Sequence, residues 1–78
     1  MKIIIKDSQN KIEYIYAMES WNVGVLKKAI KEKYQLQDND IELMFNGKIL
    51  EDNDSLIASG ITEGKTINFL GKFSKAEL

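Results

Sequence analysis

Residues 1–6 alternate, with Met1, Ile3 and Ile5 on one side. A period of two among β-branched residues predicts a half-buried strand. Asp7-Ser8-Gln9-Asn10 is a cluster of turn formers, and KIEYIYAM, residues 11–18, predicts a second strand. Two registers compete there: Ile12, Tyr14 and Tyr16 can face the core, or Ile15 and Ala17 can, and a slip of one residue exchanges the faces. The first set is preferred, because the second aims Glu13 inward without an evident partner.

The period then changes. Val23, Leu26, Ile30 and Tyr34 fall on one stripe of a helix predicted over 23–34, with lysines on the other faces and Asn22 as N-cap. Gly24 weakens the first turn by up to ~1 kcal/mol relative to alanine. Trp21, just before the cap, is read as a hydrophobic staple in preference to a second contact point. Gln37-Asp38-Asn39-Asp40 predicts a turn and 41–45 a third strand, with Leu43 and Phe45 on one face and Glu42 and Met44 on the other.

Asn46-Gly47 is a tight-turn signal, because both residues tolerate positive φ, and Lys48-Ile49-Leu50 forms a short fourth strand. Ser55-Leu56-Ile57-Ala58 suggests a helical turn that stops at Gly60. Another turn at 62–65 leads to a last strand, 66–70, with Ile67 and Phe69 inward. The order β-β-α-β-β-short helix-β predicts an α+β roll with one helix across one face of the sheet.

Composition narrows the function classes. The 78 residues make one domain or one module of a longer chain. A chain of this size buries only about 60–65% of its unfolded surface. With neither cysteine nor histidine, disulfides, thiolate or imidazole metal sites and the common nucleophile-base pairs are unavailable. No cofactor or metal is expected, and the missing cysteines fit a reducing compartment, the cytoplasm or nucleus.

All eleven basic residues are lysine and the net charge is −1, so the guanidinium forks that read guanine are absent and nucleic-acid binding is disfavoured. No apolar run approaches the ~20 residues of a membrane helix, and no membrane association is expected. Glu51, Asp52 and Asp54 make an acidic cluster on a loop of turn residues, read as solvated rather than catalytic. The expectation is therefore no enzyme.

LMFNGKILEDNDSL, residues 43–56, together with VGVLKKAI, residues 23–30, and GITEGKTINFL, residues 60–70, resembles ubiquitin nearly without gaps over about residues 1–70. The resemblance implies the β-grasp fold: a mixed sheet of four to five strands on one helix plus a short helical or 3-10 turn. Gly60 and Gly64 fall where the family's turns need left-handed backbone. Residues 1–72 are assigned to the ubiquitin-like domain, and 73–78 to a frayed tail or the start of a linker.

The resemblance also bears on function. Conjugated relatives end in paired glycines, whereas the matching segment here, Leu70-Gly71-Lys72-Phe73, carries one glycine and bulky neighbours. A conjugatable modifier is therefore a disfavoured alternative; the targeting domain of a deubiquitinase is the other alternative. Ubiquitin's outer sheet face carries an apolar docking patch ringed by basic residues, and the matching positions here are Ser8, Met44 and Leu70. Lys6, Lys48 and Lys72 keep part of the basic ring. Glu42 and Asn68 replace an arginine and a histidine, Gly47 lies in the turn, and Ile49 enlarges the apolar area. The implied role is that of the N-terminal ubiquitin-like domains of proteasome shuttles and BAG-type chaperone regulators. Such a monomeric, non-catalytic domain binds ubiquitin receptors or ubiquitin-binding domains, proteasome subunits among them.

Overall fold

The computed structural model describes residues 1–36 and 41–71. Its elements are β1 (Lys2–Lys6), β2 (Ile12–Tyr16), α1 (Val23–Tyr34), β3 (Leu43–Phe45), β4 (Lys48–Ile49) and β5 (Thr66–Phe69). The expected turn at 37–40 and the domain boundary at 72/73 lie outside the described residues. The strands form one sheet in the order β2-β1-β5-β3-β4. β1 and β5 run parallel, and the other neighbours pair antiparallel.

The helix covers one face. Val23, Leu26 and Ile30 meet Ile3, Ile5, Leu43, Ile67 and Phe69 in a single core, with Tyr34 packed at its margin. Its first turn is fully satisfied. The Val23 and Gly24 amides donate to the carbonyls of Asp54 and Asp52, both at 2.9 Å, and the Val25 amide donates to the Asn22 side chain, also at 2.9 Å. Helix starts leave such donors without intrahelical partners, so the acidic loop serves as a backbone cap. This explains Gly24: a Cβ there would stand 3.3 Å from the Asp52 carbonyl. Lys27 fastens the same loop through an ion pair with Asp52 at 2.8 Å, so the cluster at 51–54 is structural.

Other turns follow the sequence. Asn46 and Gly47 both have positive φ, 54° and 77°, the paired left-handed geometry of a two-residue hairpin loop. Between 55 and 60 the Ser59 amide bonds the Ser55 carbonyl at 3.0 Å, one helical turn that ends where Gly60 has φ 91°. Trp21 is half-buried against the core and lines a shallow groove with Ile15, Tyr16 and Ala29.

The second strand is a correction. Ile15 is 4% exposed and Ala17 is buried, while Tyr16 is 72% exposed, with Ile12 and Tyr14 also facing water. The register decides this. Ile3 and Ile5 are buried, and their partners across β1 and β2 are Ile15 and Glu13, which must share their face. Glu13 is tolerated there because it lies toward the end of β2 with two partners. Lys11 stands 3.8 Å from its carboxylate, and the Tyr34 phenol, which donates to the neighbouring Tyr14 carbonyl at 3.1 Å, lies close by. On the other face the Lys2 ammonium lies 4.3 Å from the Tyr14 ring centroid, a cation–π contact that partly covers the exposed aromatic.

The pairing of Tyr34 with Glu13 has a measurable consequence. Burial, then the charge of Glu13, then its hydrogen bond push the phenol from 10.0 up to about 12. A folded-state value above the unfolded one means that the group's contribution to stability is complete below pH 10 and is lost as pH climbs toward 12. Alkaline titration followed by tyrosinate absorbance should show one of the three tyrosines ionising late, and Glu13→Gln should bring it down. A titration without a late-ionising phenol would contradict the contact.

Candidate docking face

Residues paired across neighbouring strands lie on the same side of a sheet, so the register maps the face opposite the helix directly. Ile12 pairs with Lys6, Lys6 with Asn68, Asn68 with Met44, and Met44 with Ile49. One row therefore crosses all five strands as Ile12, Lys6, Asn68, Met44 and Ile49. Leu70 and Glu42 stand beside it: the Leu70 amide donates to the Glu42 carbonyl at 2.9 Å, prolonging the β3–β5 ladder past its last register pair. That places Leu70 diagonal to Met44, at the separation where long side chains still meet.

Met44 is half-buried, Ile49 is 41% exposed and Leu70 is 48% exposed. None of them belongs to the core. Three apolar side chains thus sit together on the outer sheet face, with half-buried Lys6 and exposed Asn68 and Glu42 among them. Met44 suits such a place, because an unbranched thioether adapts to more than one partner surface.

Two expected members have further neighbours. Lys48 pairs with Phe45, whose buried side chain faces the helix side, so Lys48 is carried away from Met44. It lines a cleft of about 370 Å³ with Phe45, Leu50, Asp54 and Ser59. Ser8 is exposed, but both its hydroxyl and its amide donate to the Gly71 carbonyl, at 2.7 and 2.8 Å. Gly47 is exposed at the hairpin tip, and Lys72 lies outside the described residues. Ile12 stands at the far end of the row, facing water where the register preferred from the sequence turns it inward. The buried Ile3 and Ile5, alternating in β1, are the sequence signal for that outward register.

Among the described residues no group of acidic side chains is arranged to hold a metal ion, and no helix is long and apolar enough to cross a membrane.

Comparison with known proteins agrees with the fold. A model of the ubiquitin family matches residues 3–74. Human Ubiquilin-2 is 35% identical over 72 residues, covering 92% of this chain and 11% of the relative. Human Ubiquilin-1 is 32% identical over the same length, 92% of this chain and 12% of the relative. Mouse Ubiquilin-3 is 27% identical over 75 residues, 96% of this chain and 11% of the relative. The chain thus spans about a tenth of the length of the relatives it matches.

Proposed function

Since this chain belongs to the ubiquitin family, we propose that it is a non-catalytic recruitment domain whose outer sheet face binds ubiquitin receptors, receptor subunits of the proteasome among them. The observation that carries this reading is the apolar group of Met44, Ile49 and Leu70 on the face the helix leaves open. Burying one such side chain contributes at most ~1.5–3 kcal/mol, and association and side-chain ordering offset much of it. The expected affinity is therefore micromolar, about −8 kcal/mol, suited to transient delivery of whatever the rest of a longer chain carries. The domain works as a monomer in the cytoplasm or nucleus, and no step of this role requires a cofactor.

Titrating isotope-labelled domain with a proteasomal ubiquitin receptor tests the reading. Amide shifts should concentrate at Lys6, Glu42, Met44, Ile49, Asn68 and Leu70. A map centred instead on the groove of Ile15, Trp21 and Ala29 would move the function to the other side of the molecule.

A further inference from the structure

β5 ends at Phe69, and its last register pair with β1 is Lys6 with Asn68. Beyond that point Leu70 and Gly71 have lost the β1 ladder, yet Leu70 supplies the most exposed of the three apolar groups of the docking face. Two contacts hold this exit. On the β3 side the Leu70 amide reaches the Glu42 carbonyl at 2.9 Å. On the β1 side Ser8 donates twice to the Gly71 carbonyl, from Oγ at 2.7 Å and from its amide at 2.8 Å.

The turn that presents Ser8 is stiff. One oxygen of the buried Asp7 carboxylate accepts the Gln9 and Lys11 amides at 2.9 and 2.8 Å, and the Asp7 carbonyl accepts Asn10 at 3.0 Å. Gly71 in turn passes close over the core. A Cβ there would lie 2.7 Å from two carbons of the buried Phe69 ring, so only glycine lets the carbonyl come down to Ser8 without moving that ring.

We infer that Ser8 is a positioning residue for the docking face, its hydroxyl fixing the Gly71 carbonyl and through it the place of Leu70 beside Met44. This rests on the docking-face reading above. Serine brings no apolar side chain of its own to the face. Its effect passes through Leu70 alone, which separates this role from that of a solvated turn residue.

The test uses Ser8→Ala, Ser8→Thr, Leu70→Ala and the Ser8→Ala/Leu70→Ala pair, each titrated with a helical ubiquitin-binding peptide of a proteasomal receptor. A hydrogen bond that competes with water contributes modestly, so Ser8→Ala should weaken binding about threefold to fivefold. Ser8→Thr, which keeps the hydroxyl, should restore it. With Leu70 already removed, Ser8→Ala should have no further effect, since coupled residues are non-additive. Wild-type affinity in Ser8→Ala, or the same loss with and without Leu70, overturns the inference while the docking face stands. A wild-type domain that ignores the peptide, at a concentration where ubiquitin binds it, overturns both.

Discussion

Leu56→Ala should lower the free energy of unfolding by about 2–5 kcal/mol, the range for removing a fully buried leucine. At about 0.05–0.15 kcal/mol per residue a chain this short has only about 4–12 kcal/mol in total, so the variant should lose a large share of its stability. Leu56 has no exposed surface, and its amide donates to the Trp21 carbonyl at 3.2 Å. It anchors the loop whose Asp52 and Asp54 carbonyls cap α1, so its loss combines a cavity with a loosened helix start. Urea denaturation of Leu56→Ala and Ile57→Ala side by side is the measurement. Ile57 is exposed, and its truncation should stay within about 0.5 kcal/mol. Equal effects at the two positions would remove Leu56 from the core.

Met44→Asp should abolish receptor binding, by about a hundredfold or more, with the domain still folded. Truncating a docked apolar side chain removes up to ~1.5–3 kcal/mol, and a carboxylate buried there without a partner adds a further penalty. Between Ile49 and Asn68 an unbound aspartate keeps its water, so the thermal midpoint should fall only by the few degrees that a poor strand former costs, about 1 kcal/mol at most. Tyr16→Asp is the matched control. Tyr16 lies on the same sheet face but on the far strand, β2, more exposed than Met44, and its variant should bind as the wild type does. If Tyr16→Asp fails and Met44→Asp binds, the docking surface lies on the β2 side of the sheet.

Glu42 shows why local charge and specificity are separate questions. Standing beside Leu70, it places a carboxylate where the resemblance would put an arginine. Its carbonyl holds the Leu70 amide whatever the side chain is, so on the proposed docking face a change at this position would alter the electrostatics a partner meets and leave the ladder alone. Lys6 and Asn68 share the row on the same terms, their backbones committed to pairing and their side chains open to selection.

What the amino-acid order determined by itself was whatever depends on neighbours along the chain. The stripe of Val23, Leu26, Ile30 and Tyr34 with Asn22 before it set the helix at 23–34, because capping and a 3.6-residue period are local. Asn46-Gly47 set the hairpin and with it the opposed faces of Met44 and Phe45, because the turn dictates the register. The second strand was different. KIEYIYAM has apolar residues on both faces, and only pairing with Ile3 and Ile5, with Tyr34 arriving beside Glu13 from the end of the helix, chose between them. The jobs of Ser8 and Lys48 were tertiary for the same reason. Sixty-three positions separate Ser8 from the carbonyl it holds, and the side on which Lys48 emerges follows from its pairing with Phe45. Hydrogen bonds and cross-strand contacts act over a few ångströms of space, so residues that spacing along the chain does not relate meet only once the sheet has closed.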